Sequence, residues 1–552
     1  MRVVDYLVEY LKERGTKTVF MLSGTGSVYI DDAFASETDM KYVCARHEAA
    51  ATIMAMASAK LDDKIGVVIS TTGPGGTNAI GGVVEAWVDS VPVLIISGQV
   101  DSGQVSPGVR SYGVQGFNVI ENVTKITKYA VQLTDPSKLK YHLGKAMHLA
   151  ISGRPGPVWL DIPMDLQIAE VDPEALEGYY PESDEPTVEM SMLEQIAEAI
   201  ATAKRPLITF GQGVRQAGAT DELASLLEER NLPSVCSRMA IDLLPHDHPN
   251  FHGLGGIRGT GGAAKIMKQA DFVLSLASSH THAFAGGTYD YFQQDTKLAM
   301  VNLDKSEINK PGLTVDYAVI DDVKAFIQRL RRHFDEKYPE LVFGEWNQEC
   351  ASLDEATPVC LDEYARNPIN TYYFIDCLNK CLPENAIVVN DAGSANYVCS
   401  QGLRLGEKNR ELTSGAFYSM GLTLPMAIGA AAAKPDVTVV AVTGDGSIEL
   451  NIQELRTMQQ NELNIKLFII NNGGYASIRK SQDEMAGGRY TDDVDVLNFQ
   501  KVAEAFEIKF HFVEEFSTLE DDLRDILSTP GPAMIELFCD KNQAILEPFA
   551  TI

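Results

Sequence analysis

The chain lacks any long hydrophobic run. That excludes a membrane-spanning helix, which needs about 20 consecutive apolar residues. Basic residues are in short supply: 46 Lys and Arg face 76 Asp and Glu, for a formal net charge of −30. A surface of that sign repels phosphate backbones and anionic lipid, so neither nucleic acid nor membrane is an expected partner. The eight cysteines (Cys44, Cys236, Cys350, Cys360, Cys377, Cys381, Cys399 and Cys539) are scattered. Cys377 and Cys381 share a helix face, but no second pair or nearby His completes a zinc site. Reduced thiols in a cytoplasmic protein are the simple reading. Repeats and low-complexity tracts are absent. The N-terminus reads as an amphipathic helix rather than a signal peptide, since Val3, Val4, Tyr6, Leu7, Tyr10 and Leu11 interleave with Asp5, Glu9, Lys12 and Glu13.

What is present is 552 residues, 45% hydrophobic and 22% charged. At roughly 150 residues per domain this suggests three or four domains. Short apolar runs alternate with helical patterns, which predicts an α/β chain of three doubly wound parallel-sheet domains over 1–165, 190–334 and 367–545. Strands are predicted near Thr18–Leu22, Lys41–Cys44, Gly66–Ser70, Val91–Ser97 and Val158–Ile162. The second unit has them near Pro206–Phe210, Ser234–Cys236, Phe272–Leu276 and Leu298–Asn302. In the third they fall near Ala386–Asn390, Val437–Val442, Ile465–Ile470 and Ala533–Phe538. The acidic, Pro-bearing stretch 166–190 and the stretch 335–366 read as linkers.

The most informative stretch is Gly444-Asp445-Gly446-Ser447, followed at a distance of twenty-four residues by Asn471-Asn472. It reads as strand, tight turn, helix, strand and polar turn. A carboxylate and a carboxamide then stand at the C-terminal ends of two parallel strands, where open α/β sheets bind ligands. Asp445 and Asn472 are hard oxygen donors suited to Mg²⁺. The Gly turn frees backbone N–H groups and a helix N-terminus to face a diphosphate. Taken alone, each piece is also what an ordinary βαβ turn contains. Five histidines of the middle unit, His246, His248, His252, His280 and His282, suggest a second metal. No Cys or carboxylate pattern fixes a tetrahedron around them, although His280 and His282 follow a strand end and could face a ligand cleft.

The segments Arg46–Ala51 (RHEAAA), Gly73–Ala79 (GPGGTNA), Ser152–Pro163 (SGRPGPVWLDIP), Ser419–Pro425 (SMGLTLP), Gly444–Ser447 with Asn471-Asn472, and Asn471–Arg479 (NNGGYASIR) together resemble the acetolactate-synthase-like thiamine diphosphate enzymes. The closest likeness is to the branch associated with surface-polysaccharide sugars. The resemblance implies the thiamine diphosphate-binding fold, with a pyrimidine-binding first domain, a central domain and a diphosphate-binding third domain. It implies thiamine diphosphate and Mg²⁺ as cofactors, the metal held by Asp445, Asn472 and the Gly474 carbonyl. Glu48 takes the place of the acid that contacts N1′ of the aminopyrimidine and favours its imino tautomer. Met420 matches the residue that bends the cofactor between its rings, and Tyr418, where the family often has Gly, offers its carbonyl to the 4′-nitrogen. Gly73, Gly444, Gly446, Ser447 and Tyr475 complete the expected cofactor contacts. Counting back from Ile126-Thr127-Lys128 places Gln115 beside the reacting carbon. Counting forward from Arg110 would select Asn118 instead, and Gln115 is preferred.

The implied reaction is decarboxylation of pyruvate or a related 2-keto acid, with transfer of the two-carbon unit to an acceptor carbonyl, a ketosugar or a second keto acid. The alternative is a non-oxidative decarboxylase or lyase of the same cofactor class. An FAD-dependent oxidase and a non-catalytic homologue are further rivals; intact Glu48, Asp445 and Asn472 argue against the last. The family's activating Glu and metal site come from different subunits, so a homodimer or homotetramer is implied. Three departures matter. Lys480 and Ser481 stand where synthases carry a Trp that narrows the acceptor pocket. Tyr29 stands where the sugar branch often has His. Ser278-Ser279-His280-Thr281-His282 replaces a flavin-contacting run, so FAD, which the Gly253–Gly262 loop could still line, is left open rather than predicted.

Overall fold

A computed structural model describes residues 1–550 other than 63, 106, 107, 111, 182–189, 294 and 490–494. The described strands form three parallel six-stranded sheets. The first contains β1 (Thr18–Met21), β2 (Lys41–Cys44), β3 (Gly66–Ser70), β4 (Val93–Gln99), β5 (Tyr129–Gln132) and β6 (Val158–Pro163), in the order β2-β1-β3-β4-β6-β5. The second contains β7 (Pro206–Phe210), β8 (Ser234–Cys236), β9 (Phe251–Leu254), β10 (Phe272–Leu276), β11 (Lys297–Val301) and β12 (Tyr317–Val319), in the order β12-β11-β10-β7-β8-β9. The third contains β13 (Ile387–Asn390), β14 (Arg410–Leu412), β15 (Val439–Gly444), β16 (Ile465–Asn471), β17 (Lys509–Val513) and β18 (Ala533–Phe538), in the order β14-β13-β15-β16-β18-β17. Renumbered from one, the first and third sheets share the order 2-1-3-4-6-5. The middle sheet follows the dinucleotide-binding order 3-2-1-4-5-6.

The central strands are legible because helices cover both faces, and they read as continuous apolar runs; β3, β4 and β7 are buried at every residue. The sequence reading does not anticipate β5, β9, β12, β14 and β17, all of them sheet edges. Residues 335–366, expected as a linker, hold the helix Gly344–Glu355. Its Trp346 and Cys350 pack with Ala263, Ile266 and Met267, and the Trp346 indole donates to the Pro206 carbonyl at 3.0 Å. The N-terminal amphipathic helix forms over Val3–Glu13.

The first and third units share one apolar core. At its centre lies the helix Glu48–Asp62, buried nearly all round, as its Ala/Met composition requires. Small residues let its neighbours approach. A Cβ on Gly82 of the helix Pro74–Val88 would lie 2.7 Å from the Ala49 carbonyl oxygen, and one on Gly429 of the helix Thr423–Ala433 would lie 2.1 Å from that of Met54.

Asp242 of the middle unit joins all three. Its carboxylate accepts from Arg215 at 2.8 Å and from Arg410 at 2.8 Å, and the Arg410 guanidinium also donates to the Lys60 carbonyl at 2.9 Å. Burial pushes the Asp242 pKa up, but the two guanidiniums and the Glu411 N–H outweigh it and the net shift is downward. The stability this group contributes is therefore complete above the ordinary Asp pKa and is lost as pH falls through the depressed folded value. Asp242→Asn leaves two partly buried cations unpaired. It is expected to destabilise the junction by about 3–5 kcal/mol, read as an earlier first transition in thermal unfolding at neutral pH.

Candidate active site

In the third sheet, whose strands are all parallel, the strand order reverses between β13 and β15, a topological switch point at which such sheets bind ligands. Strand β15 ends at Gly444, and Asp445 opens the short helix Asp445–Ile448. Asp445 is 2% exposed. Its Oδ1 accepts from Gly446 N at 2.7 Å, and its Oδ2 accepts from Asn472 N at 3.1 Å and Gly474 N at 2.9 Å. The carboxylate thus fastens the turn after β16 to the turn after β15. Gly473 and Gly474 have φ of +74° and +94°, the left-handed region that glycine adopts without strain. Of the two asparagines, Asn471 spends its side-chain amide on Glu536 at 2.6 Å. The Asn472 side chain makes no hydrogen bond among the described residues. The Gly474 carbonyl accepts from Ala476 N at 2.8 Å, which leaves its second lone pair. A Cβ on Gly446 would lie 2.3 Å from the Tyr475 ring, so the turn and the ring are in close contact. Arg479, near the stretch expected to face the acceptor, is 7% exposed and donates to the Gly473 and Asn472 carbonyls; it braces the turn from behind.

The loop leading to Met420 is held by the first unit. Lys60 donates to the Thr413 carbonyl at 2.8 Å and pairs with buried Asp89 at 3.0 Å. Asp89 in turn accepts from Gly415 N at 3.0 Å, and Glu85 accepts from the Ser414 hydroxyl at 3.3 Å. Burial raises the Glu85 pKa. Tyr418 has φ +52°, its N–H donates to Ser414 Oγ at 3.0 Å, and its carbonyl carries no hydrogen bond among the described residues. Met420 is half-buried. These tethers join residues hundreds of positions apart, and no local pattern in the sequence announces them.

The first-sheet residues form a second group. Glu48 is 5% exposed at the start of its helix, and Asn78 Nδ2 donates to its Oε2 at 3.0 Å. Gly75 packs against the same carboxylate, 3.4 Å from its Oε1 to a built Cβ. Gly73 has φ +59°, and a Cβ there would lie 2.2 Å from the Gln115 carbonyl oxygen. Gln115 is itself left-handed at φ +64°, with its side chain exposed. A polar chain supports that loop: Ser97, Gln99 and Gln132 donate to Asp161, and Gln99 also donates to the Phe117 carbonyl at 2.8 Å. Burial lifts Asp161 to about 6. Asn118, the other candidate, ends just before the helix Val119–Val123. Contacts link Glu48, Gly73 and Gln115 through the Gly73–Gly75 turn, and link Met420, Gly444, Asp445, Gly446, Ser447, Asn472, Gly474 and Tyr475 through the turns after β15 and β16. Among the described residues, the side-chain hydrogen bonds of Glu48 stay within its own group.

Comparison with known proteins decides the family. Residues 1–123 match the profile of "Thiamine pyrophosphate enzyme, N-terminal TPP binding domain", residues 193–330 that of the central domain, and residues 391–537 that of the C-terminal TPP binding domain. Acetolactate synthase isozyme 1 large subunit of Escherichia coli is 30% identical over 98% of this chain and 94% of its own length. The acetolactate synthase large subunit of Corynebacterium glutamicum is 31% identical over 88% and 77%, and the chloroplastic acetolactate synthase of Arabidopsis thaliana 29% over 98% and 82%. The chain belongs to the acetolactate-synthase-like thiamine diphosphate enzymes. The residues of the third-sheet turn fit the phosphate end of that cofactor. A buried carboxylate, an uncommitted amide and a carbonyl with a spare lone pair are hard donors for a small cation, and a buried charge of this kind is normally paired or metal-bound.

In this thiamine diphosphate enzyme a cavity of about 790 Å³ lies at the C-terminal ends of the middle-domain strands and is walled on its other sides by residues of the first and third domains. Gly211, Gly255, Ser278, His280, Asp321 and Tyr418 are among its walls. Burial drives the His280 pKa down to about 3, so its ring is neutral. Among the described residues, Ser278 Oγ and His280 Nδ1 have no partner. The histidines do not assemble a metal centre. His246 accepts from Leu405 N, His248 lies beside Glu228, and His252 bonds Asp354 and Asn347. Among the described residues no three His, Cys, Asp or Glu gather as metal ligands. All eight cysteines are free thiols. Among the described residues no helix is long and apolar enough to cross a membrane. Tyr29 packs against the apolar cluster of the first domain. Ser481 is exposed and Lys480 pairs with Glu547 at 2.6 Å.

Proposed function

We propose that the enzyme decarboxylates pyruvate or a related 2-keto acid with thiamine diphosphate and Mg²⁺ and transfers the two-carbon unit to an acceptor carbonyl. The observation that carries this reading is the Asp445 turn, a buried carboxylate that draws two strand ends together and leaves the Asn472 amide and a Gly474 lone pair open. Bound thiamine diphosphate supplies the electron sink for loss of CO₂. Asp445, Asn472 and the Gly474 carbonyl would hold the cation, and the N–H groups of the Gly444–Ser447 turn would bind the diphosphate. Glu48 would exchange a proton with N1′ of the aminopyrimidine. The Tyr418 carbonyl, without a hydrogen bond among the described residues, would accept from the cofactor's aminopyrimidine, and Met420 would support its rings. Gln115 offers an uncharged amide to the acceptor carbonyl.

Among the described residues the side-chain hydrogen bonds of Glu48 do not reach the Asp445 turn, which supports a homodimer or homotetramer with each site completed across the subunit interface. Exposed apolar side chains flank both groups: Tyr112 and Val114 beside Gln115, and Phe417, Ile478 and Met485 around the third-domain half. The exposed Ser481 supports a wide acceptor pocket, suited to a ketosugar. The net charge and the absence of spanning helices among the described residues support a cytoplasmic enzyme without nucleic acid or membrane partners.

Mass spectrometry of products from pyruvate with a panel of aldehydes, keto acids and nucleotide ketosugars tests the reading. Adducts carrying two extra carbons are expected, their formation lost on removal of Mg²⁺ and cofactor and restored by adding both. Free acetaldehyde as sole product with every acceptor would instead establish the lyase. A second reading, an oxidase using FAD, is favoured by one feature, the middle-domain cavity in a dinucleotide-type sheet. A flavin absorbance spectrum in the purified protein would support it.

A further inference from the structure

Asp391 has no role in the scheme above. It follows β13 directly, is fully buried, and lies on the opposite side of the switch point from Asp445. Its Oδ2 accepts from the Ser447 hydroxyl at 2.7 Å, from Gly421 N at 3.1 Å and from Thr423 N at 3.4 Å, with Thr443 Oγ1 at 3.5 Å; its Oδ1 accepts from Ala392 N at 2.6 Å. Gly421 N is shared, since it also reaches Ser447 Oγ at 2.8 Å. The other side of the Gly421 residue is fixed too, its carbonyl accepting from Asn451 Nδ2 at 2.8 Å. Gly421 has φ +83°, and a Cβ there would lie 2.8 Å from Leu450 Cβ. Met420 is the residue immediately before Gly421, and Ser447 belongs to the diphosphate turn. A single carboxylate therefore spans the turn expected beside the cofactor's rings and the turn expected at its diphosphate.

We propose that Asp391 is a positioning residue, whose carboxylate fixes the Met420–Gly421 turn and the Ser447 hydroxyl as one rigid unit. The support under the cofactor's rings and the anchor of its diphosphate then keep a constant separation and orientation. The proposal rests on the thiamine-site reading of Met420 and Ser447. Pairing a buried carboxylate with five donors from three segments is an expensive arrangement for packing alone, because each donor left unsatisfied would carry its own desolvation cost.

The test is a double-mutant cycle in the full-length enzyme with thiamine diphosphate, Mg²⁺ and pyruvate. Asp391→Asn keeps the size but turns one acceptor into a donor facing other donors. It is expected to lower kcat by about 10–100-fold, the range seen when an outer partner of a bound group is lost, with little change in the KM for pyruvate. The near-ultraviolet circular dichroism of the bound cofactor is expected to change. Met420→Ala, costly alone, is expected to cost at least about five-fold less in the Asp391→Asn background, because contacting groups are non-additive. Effects that simply multiply, or an unaltered cofactor spectrum in Asp391→Asn, overturn the proposal alone. Met420→Ala without any effect in the native enzyme overturns the reading of Met420 and the proposal with it. Should Asp391→Asn not fold, Ser447→Ala and Asn451→Ala loosen the same turn from its other sides and enter the same cycle with the same expectations.

Discussion

Glu48→Gln is expected to lower turnover of pyruvate by about 10²–10⁴-fold, the usual worth of a positioned proton-transfer group, while thiamine diphosphate and Mg²⁺ still bind. The substitution preserves volume at a site 5% exposed, and a side-chain oxygen remains to accept from Asn78 Nδ2. What is lost is the ability to hold and release a proton at N1′. Glu48 lies at the first turn of a helix whose remaining residues are Ala, Met, Ile and Leu for most of its length, so no neighbouring acid on that helix substitutes for it. Steady-state rates beside a cofactor titration separate the two effects. Undiminished turnover would remove Glu48 from the mechanism, and weakened cofactor binding would assign it to the scaffold.

The second large effect is expected at Asp445. Asp445→Asn presents an amide N–H₂ to a ring of backbone donors, Gly446, Asn472 and Gly474, that now converge on a carboxylate. The turn after β16 must open, and the cation loses its one charged donor. Loss of an outer partner alone typically weakens metal binding about 10–100-fold, so loss of this one is expected to raise the half-saturating cofactor concentration at least that much. A ligand at 100 times its Kd stabilises a native protein by about 2.7 kcal/mol. The upward shift of the unfolding midpoint on adding Mg²⁺ and thiamine diphosphate is therefore expected to vanish in this variant. A retained shift would place the cation elsewhere.

What could be read in advance follows burial. Strands such as Val67–Ile69 and Leu467–Ile470, apolar on both faces, announce themselves, and so do the Gly turns at their ends. The edge strands do not. In β17 (Lys509–Val513) only Val513 is fully buried, and β12 is three residues long with Ala318 exposed. An edge strand packs on fewer neighbours and needs no apolar run. The linker reading of 335–366 failed for a related reason: Trp346 and Cys350 are isolated apolar positions in a polar helix, too few to set a period. At the site, turns with local signatures were visible. The supports at Lys60, Asp89, Arg238 and Asp242 were not, since each acts on a partner in another domain, as Arg238 does on Glu411 at 2.7 Å. Asp391 had a signal that went unread: Asn390-Asp391-Ala392-Gly393 is an acid after a buried strand followed by Gly, much like Gly444-Asp445-Gly446.

The proposal that one chain supplies Glu48 and another Asp445 makes the two-chain site the central claim. It is tested most directly by mixing two inactive variants. Glu48→Gln and Asp445→Asn chains, each with little activity, are co-expressed or dissociated and reassociated together. If a site takes Glu48 from one chain and Asp445 from the other, each hybrid dimer regains one fully intact site, and random pairing in a two-fold dimer is expected to restore about a quarter of native activity. If both residues serve the same chain's site, every site in the mixture keeps a defect, and activity no higher than that of the separate variants would contradict the account.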